Sequence, residues 1–435
     1  MIYLDYAATA PPLPAASDAY LAEVERLRTH PGNASALHSG GQAARGRLED
    51  WRDQVADVLS ARRTARRETE KRHEILFVSG ATEGNSLALT GRAAALRAAG
   101  QEPLALCLST DHPSLRGAVA AAGEHALVEV DAAGAPRGGW AAAIAGAVAG
   151  WRERNGRAED GVILAFAPVN NETGRWLDPA ELAGVKETLA AAGAGAVAPV
   201  GAGAGAGAVA PGGPGGARAD TSINLDWVHL DAAQTVGHKR IDVGEWDVDS
   251  LSFSGHKLGG TGGVLVARRD GLTAPVRGGG QQYGVRSGTV DTPAAASLAA
   301  ALTAAEHGRE ALAARMLDWR ERIIAAAQAV GGRCSLPGGA PASPHIAHLV
   351  FPGAASEALL AAADMSGLAL SAGSACTAGV SGPSEVLVAM GVDDAEARCV
   401  LRVSTGWATT DADVDALCGA LPRLVNAARA FGQAG

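Results

Sequence analysis

Seven short apolar runs, most of them separated by helical stretches, constrain the fold more than any other feature of this chain. They lie at residues 74–79, 104–110, 126–130, 162–169, 227–233, 250–255 and 262–269. Short apolar runs are typical of strands that are buried on both faces, and their alternation with helices favours a mostly parallel sheet. We therefore predict an α/β fold, with a large domain over residues 1–291.

The pattern changes from about Thr292 onward. An Ala-rich helical stretch over 292–330 is followed by shorter strand and helix patterns up to a terminal helix that begins near Asp411. The remaining strands are expected at 346–351, 368–372 and 399–404, and the remaining helices near 355–364 and 383–390. This predicts a smaller α+β domain over residues 292–435.

Two segments differ in composition from the rest of the chain. Residues 193–217 contain only Gly, Ala, Val and Pro, which offers too little side-chain surface for packing, so we expect a flexible surface insertion in the large domain. The run 62-RRTARRETEKRH-73 is strongly basic and is interpreted as a solvated loop. It follows an amphipathic helix that is predicted over residues 41–60.

Charge and cysteine content exclude several classes of function. The formal net charge of -9 argues against nucleic acid or an anionic membrane as a partner. The longest apolar runs contain Ala and Gly and are not rich in Leu, Ile or Phe, so no transmembrane helix is predicted, and the N-terminus lacks the pattern of a secretory signal. The 5 cysteines are widely spaced without a CxxC pair, so we expect no metal site, no disulfide framework and a cytoplasmic location.

Lys257 is the first candidate for chemistry. It lies in 250-SLSFSGHKLGGTGG-263, directly after an apolar strand and before a glycine-rich turn. Ligand groups cluster at this end of the strands in open α/β sheets, and a lysine there can form a Schiff base with an aldehyde cofactor. The alternative is an exposed lysine beside a loop.

Asp231, in 228-VHLDAAQTVG-237, ends another apolar strand. A half-buried carboxylate needs a cationic partner, and the protonated nitrogen of a pyridoxal ring would supply one. An aspartate that caps the following helix is an equally good interpretation of this residue alone.

Three further motifs also follow apolar strands. The turn 80-GATEGN-85 opens a helix whose free N–H groups, with the hydroxyl of Thr82, suit a phosphate. His112, in 111-DHP-113, would stack on a planar cofactor or carry protons, or else be structural. The turn 169-VNNETG-174 would contact a ring hydroxyl or a carboxylate, although asparagines are also common in plain turns.

Taken together these motifs carry a resemblance. Along with 3-YLDYAATAP-11, 278-GGGQQYGVRSGT-289, 373-GSACTAG-379 and 401-LRVSTG-406, they occur in the order typical of the cysteine desulfurases. Those enzymes belong to the class V aminotransferases of fold type I, which use pyridoxal 5'-phosphate (PLP). The resemblance implies a seven-stranded type of sheet in the large domain, with residues 1–15 joining the small domain.

The resemblance also implies roles for the matching residues. Lys257 would carry the cofactor, Asp231 would pair with its ring nitrogen, Gln234 would contact its ring hydroxyl and His112 would stack on the ring. The phosphate would be bound by Ala81, Thr82, Ser254 and His256, and by Thr289 of a neighbouring subunit, which implies a homodimer. The carboxylate of the substrate, L-cysteine, would be held by Asn171 and Arg402, since the guanidinium fork matches a carboxylate.

Cys376 is the nucleophile that the resemblance implies. Small residues around a cysteine do not by themselves separate a nucleophile on a mobile loop from a small apolar residue near a turn. As a desulfurase nucleophile, Cys376 would attack the substrate sulfur as a thiolate and keep it as a persulfide. A sulfur-acceptor or scaffold protein would then receive the sulfur, and Cys376 would transiently contact an iron–sulfur cluster.

Other activities of the same family remain open from the sequence. A selenocysteine lyase or another class V aminotransferase would share Lys257 and Asp231, whereas a simple aminotransferase has no use for a persulfide carrier. A non-catalytic scaffold with this fold would not need Lys257, Asp231 and Cys376 together.

Overall fold

The computed structural model describes residues 1–61, 73–156, 158–191, 222–373 and 382–433. Cys376 lies outside the described residues, as do the insertion predicted over 193–217 and all but the last residue of the basic run 62–73.

The described residues form helices and strands that follow the predicted order closely. The strands are β1 (Ile2–Tyr3), β2 (His73–Val78), β3 (Leu104–Leu108), β4 (His125–Val128), β5 (Val162–Phe166), β6 (Leu225–Asp231), β7 (Ser250–Ser254), β8 (Gly263–Arg268), β9 (Arg333–Cys334), β10 (Ile346–Val350), β11 (Leu368–Ala369) and β12 (Val400–Ser404). The α-helices are α1 (Pro14–Thr29), α2 (Ser39–Val58), α3 (Ala81–Ala98), α4 (Pro113–Ala122), α5 (Trp140–Asn155), α6 (Val185–Ala191), α7 (Thr292–Ala329), α8 (Ser356–Met365), α9 (Glu385–Ala389), α10 (Asp394–Ala397) and α11 (Asp411–Gln433).

A seven-stranded sheet forms the centre of the fold, in the order β2-β8-β7-β6-β5-β3-β4. Strand β8 is antiparallel to both of its neighbours, and every other pairing in the sheet is parallel. Most of these strands are buried along their whole length, which explains why they appear in the sequence as nearly continuous apolar runs. The predicted α/β fold with a mostly parallel sheet is confirmed.

A second core packs around two smaller sheets. One is antiparallel in the order β12-β10-β9, and the other pairs β1 with β11 in parallel. Helix α7 serves both cores: its N-terminal part, including Leu298 and Leu302, packs with the central sheet, and its C-terminal part, including Trp319 and Ile323, packs with the second core.

The first thirteen residues cross from the second core to the central sheet. Leu4 exchanges backbone hydrogen bonds with Ala369 and Ser404, at N–O distances of 3.0 and 2.8 Å. Further along, Ala10 N donates to the carbonyl of His256 at 2.8 Å. The N-terminal segment is therefore fixed at the loop that carries Lys257.

Helix α1 was not predicted. Among its sixteen residues only Ala16 and Glu23 are buried, while the apolar side chains of Leu21 and Val24 are exposed, so the helix has no broad buried face. None of the helices in the described ranges combines the length and the apolar character that crossing a membrane requires.

Candidate active site

A cavity of about 330 Å³ lies where the carboxyl ends of the parallel strands meet. Ten of the residues singled out in the sequence line it, namely Ala81, Thr82, His112, Asn171, Asp231, Gln234, Ser254, His256, Lys257 and Arg402. They come from sequence positions as far apart as Ala81 and Arg402. The fold therefore brings together what the sequence shows only as separate motifs.

Lys257 follows strand β7 and extends into this cavity. Its Nζ donates hydrogen bonds to the backbone carbonyls of Ala7 and Ala8, at 2.6 and 2.7 Å. Both carbonyls belong to the N-terminal segment. This segment thus supplies backbone acceptors that hold the lysine amine in place, a contribution that sequence reasoning missed.

Asp231 is buried at the end of strand β6, where both carboxylate oxygens have donors. Asn85 Nδ2 donates to Oδ2 at 2.8 Å, and Ala233 N donates to Oδ1 at 3.1 Å. Asn85 is fully buried and its own Oδ1 accepts from the imidazole of His229 at 2.9 Å and from the hydroxyl of Ser252. The carboxylate is therefore held in one orientation by residues behind it.

The contact of Asn85 with Asp231 was not predicted from the sequence. Asn85 lies in the same motif as Thr82, one turn into helix α3. Its neighbour His229 has a pKa that burial lowers to about 3, so this imidazole is neutral and acts as a hydrogen-bonding group.

His112 caps helix α4 and faces the cavity. Its Nδ1 accepts a hydrogen bond from the backbone N–H of Ser114 at 3.1 Å. Because a backbone N–H only donates, Nδ1 carries no proton, and the proton of the neutral ring sits on Nε2. Burial lowers the pKa of His112 and outweighs the opposing effect of the Asp231 carboxylate, which favours this neutral form.

The N-terminus of helix α3 forms the polar wall beside Ser254. The hydroxyl of Ser254 accepts from Ala81 N at 2.7 Å. In the same turn Glu83 accepts from Ser79 N at 2.6 Å and from Arg286 Nε at 2.9 Å. Burial acts to raise the pKa of Glu83, but these bonds and the charge of Arg286 outweigh it and the pKa is lowered. The Glu83 carboxylate thus joins this turn to the segment that carries Arg286.

Two asparagines of the 169–174 turn have different tasks. Asn170 builds the turn, since its Oδ1 accepts from the N–H groups of Glu172 and Thr173 at 3.0 and 2.9 Å. Asn171 lines the cavity, and its backbone carbonyl accepts from Arg402 Nη1 at 2.9 Å.

Arg402 lies within strand β12 with its side chain only 3% exposed. Besides Asn171, it contacts Asp5, whose Oδ1 accepts from Nη2 at 2.9 Å. Its Nε has no hydrogen-bond partner among the described residues. The guanidinium therefore lines the cavity with donors to spare, while Asp5 and Asn171 hold its other edge.

A second group of buried polar residues surrounds Gly373, which also lines the cavity. A Cβ atom at Gly373 would come within 3.1 Å of a Glu172 carboxylate oxygen and 3.2 Å of His348 Nε2. Glu172 accepts from the hydroxyl of Ser384 at 2.6 Å, and burial raises its pKa. Gly373 has a φ of +88°, which favours glycine and leaves no space for a side chain.

Thr289 does not line this cavity. It borders a separate hollow of about 530 Å³, together with Arg52, Tyr283 and residues that follow helix α1. The segment that leads to Thr289 is fixed by Gln282, whose side-chain amide exchanges two 2.7 Å hydrogen bonds with the backbone of Phe77. The structure thus separates Thr289 from the other predicted phosphate ligands of its own chain.

The donor set of the cavity fits pyridoxal phosphate. A lysine amine and a buried carboxylate with two donors line the same cavity, and the N-terminus of helix α3 lies at its wall with the hydroxyls of Thr82 and Ser254. The cavity volume is within the usual range for a cofactor of this size. When bound there, the cofactor would accept electrons from a carbon next to its imine nitrogen.

Comparison with known proteins agrees with this geometry. The aminotransferase class-V family matches residues 2–194 and 224–417. The chain belongs to the class-V aminotransferase family. Members of this family are enzymes that use pyridoxal phosphate.

Individual relatives cover nearly the whole chain. An IscS-like cysteine desulfurase of Mycobacterium tuberculosis is 36% identical over 99% of this chain and 97% of its own length. The putative cysteine desulfurase IscS 1 of Bacillus subtilis is 28% identical over 94% of this chain and 94% of its own length. Among solved structures, a NifS-like protein of Rickettsia africae superposes with a TM-score of 0.76 at 20% identity, covering 98% of this chain and 99% of that chain. The last similarity confirms the fold.

Proposed function

We propose that this protein is a cysteine desulfurase that converts L-cysteine to L-alanine with pyridoxal phosphate as cofactor. The observation that carries the proposal is that Lys257, Asp231 and Arg402 line one cavity whose wall includes Gly373, three residues before Cys376. The relatives that are named cysteine desulfurases along nearly the whole chain support the same conclusion.

The residues of the cavity suit the steps of this reaction. Arg402 and the side chain of Asn171 would bind the carboxylate of cysteine and orient its Cα–H bond towards Lys257. The Lys257 amine would then remove that proton and later return it. Asp231 would keep the ring nitrogen of the bound cofactor protonated, which is the condition for its electron-accepting chemistry. Neutral His112, with its proton on Nε2, would stack on the ring and donate from that atom.

Sulfur transfer would use Cys376. Its thiolate would attack the sulfur of cysteine, so that an S–S bond forms while the C–S bond breaks. The electron pair of the broken bond would stay with the substrate carbon, which takes up a proton before alanine is released. The persulfide that stays on Cys376 would pass to an acceptor or scaffold protein, for iron–sulfur cluster assembly or other sulfur transfer. We propose the cytoplasm as the location, because none of the cysteine spacings suggests a disulfide framework.

We further propose that the protein acts as a homodimer. Thr289 lies outside the cavity of its own chain and borders a separate hollow of about 530 Å³. We propose that this hollow faces a second subunit. A neighbouring copy would place Thr289 at the cofactor phosphate. Within each subunit we propose two domains, residues 1–291 and 292–435, that share helix α7 across their cores.

The decisive experiment measures alanine and sulfide release from L-cysteine in the presence of a thiol reductant. The Cys376→Ala variant is expected to keep the visible absorption of bound pyridoxal phosphate and to lose sulfide release. Lys257→Ala is expected to lose the covalent form of the cofactor. A matched control is Cys418→Ala, because Cys418 lies in helix α11 with its Sγ facing the Arg322 carbonyl at 3.9 Å. Normal sulfide release by Cys376→Ala would contradict the proposal.

A further inference from the structure

A chain of buried hydrogen bonds leads from the cavity into the second core. Gln234 lines the cavity, and its Nε2 donates to the carbonyl of Ala7 at 2.8 Å. Its Oε1 lies 3.1 Å from His345 Nε2, and His345 Nδ1 lies 2.6 Å from the hydroxyl of Ser343. Gln234, His345 and Ser343 are all buried, so water does not compete for these bonds.

The carbonyl of Ala7 determines where each proton in this chain lies. A carbonyl only accepts, so the amide nitrogen of Gln234 must face it, and the amide oxygen must face His345. His345 must then carry its proton on Nε2. Burial lowers the pKa of His345 well below its usual range, so the ring is neutral and Nδ1 is bare. The hydroxyl of Ser343 therefore donates to Nδ1.

His238 holds the His345 ring from one face. The two imidazole rings are stacked, with centroids 3.6 Å apart and planes inclined by 10°. Burial lowers the pKa of His238 to about 4, so two neutral rings are stacked and no charge repels them. The ring plane of His345 is thereby fixed at the angle that directs Nε2 at Gln234.

We propose that His345 is a positioning residue that locks the side-chain amide of Gln234 so that its second N–H points into the cavity as a donor. No protein acceptor for that N–H is found among the described residues. The inference rests on the proposed function, in which the ring hydroxyl of pyridoxal phosphate accepts this bond. Gln234 and His345 are 111 residues apart, so no local sequence motif indicates that they interact.

The test uses holoenzyme and two readouts besides activity: the dissociation rate of pyridoxal phosphate and the pH dependence of its visible absorption. His345→Leu removes the donor to Gln234. It is expected to speed cofactor dissociation about tenfold and to shift the pH at which the absorption changes, because the amide of Gln234 is then free to turn. Val350→Ala, in strand β10, which begins directly after His345, is the control for general loosening of the core, and should leave both readouts unchanged.

A double-variant comparison separates positioning from general stability. In a Gln234→Ala background, His345→Leu should have no further effect on the rate of cofactor dissociation. The Gln234 amide, through which His345 is proposed to act, is already absent there. Ser343→Ala, which removes one hydroxyl, should act in the same direction by about threefold, and it keeps the proposal testable if His345→Leu does not fold.

The outcomes are distinguishable from failure of the proposed function. If the wild-type protein does not bind pyridoxal phosphate, the proposed function is wrong. If the wild type binds it and releases alanine, but His345→Leu and Ser343→Ala keep the wild-type dissociation rate and absorption, the inference about His345 is wrong. If His345→Leu speeds cofactor dissociation equally in the wild-type and Gln234→Ala backgrounds, the inference about His345 is also wrong.

Discussion

Arg402 Nη2 donates to Asp5 Oδ1 at 2.9 Å, and this ion pair joins strand β12 to the N-terminal segment. Asp5 is more accessible, at 19% exposure, than the nearly buried arginine. The pair thus fixes the position of the guanidinium that the proposed function assigns to the substrate carboxylate.

Removing the carboxylate of this pair should destabilise the protein. Asp5→Ala leaves the buried guanidinium without its charged partner, and we expect a loss of about 2 kcal/mol in the free energy of unfolding, measured with denaturant. Asp5→Asn keeps a hydrogen-bond acceptor and should lose about half as much. Equal stability of all three proteins would show that the ion pair is not formed.

Replacing the guanidinium of Arg402 with an ammonium should weaken the binding of L-cysteine more than it lowers the turnover rate. Arg402→Lys replaces a planar donor pair with a single ammonium, so we expect the KM for L-cysteine to rise about tenfold or more, while cofactor absorption stays unchanged. Arg322→Lys is the matched control, because Arg322 pairs with Asp318, Asp411 and Asp415 at the surface. An unchanged KM in Arg402→Lys would exclude the arginine from carboxylate binding.

The clamp formed by Gln282 should be important for stability. This side chain satisfies both the N–H and the carbonyl of Phe77, so Gln282→Ala leaves two buried backbone groups unpaired. We expect a loss of about 2 kcal/mol or more in unfolding free energy. Gln282→Glu still accepts from Phe77 N but cannot donate to the Phe77 carbonyl. Its unfolding free energy should lie between those of the wild type and Gln282→Ala. If Gln282→Ala has the same unfolding free energy as the wild type, the hydrogen bonds between Gln282 and Phe77 contribute nothing to stability.

Acid should destabilise the fold partly through His238. The unfolded imidazole takes up a proton near pH 6.5, but the folded one only near pH 4, so the unfolded state binds more protons between these values. The stability contributed by His238 is therefore complete above pH 6.5 and is lost as the pH falls towards 4. From pH 6.5 to pH 5 this group accounts for about 2 kcal/mol.

His238→Phe keeps a ring stacked on His345 but does not titrate. Its thermal midpoint should fall less than that of the wild type between pH 7.5 and pH 5. His307→Phe, at an exposed position on helix α7, should behave like the wild type. A pH dependence in His238→Phe as steep as in the wild type would contradict the assignment of a depressed pKa to His238.

The sequence predicted the central sheet because its strands are buried on both faces. Each of the seven predicted runs overlaps a strand of the structure, although every strand ends one to three residues earlier, as β5 does at Phe166 instead of residue 169. Polar residues that follow these strands, such as Asp231 and Lys257, were recognisable as site residues since open sheets collect ligands at this edge. Their roles stay predictions.

What the sequence did not reveal depends on contacts between distant segments. Asn85 and His345 act through residues that lie 146 and 111 positions away, so no local pattern indicates them. Helix α1 buries only Ala16 and Glu23. The division of the chain at residue 292 also stays a prediction, because helix α7 contributes to both cores.

The carbonyl oxygen of Ala7 accepts from both Gln234 and Lys257. This atom belongs to the main chain, so replacing the side chain of residue 7 leaves it in place. An alanine scan across the site would therefore pass over one of its central acceptors. Replacing the peptide link between residues 7 and 8 with an ester would weaken the Ala7 carbonyl as an acceptor. This change would measure how much the main chain contributes to the cofactor site.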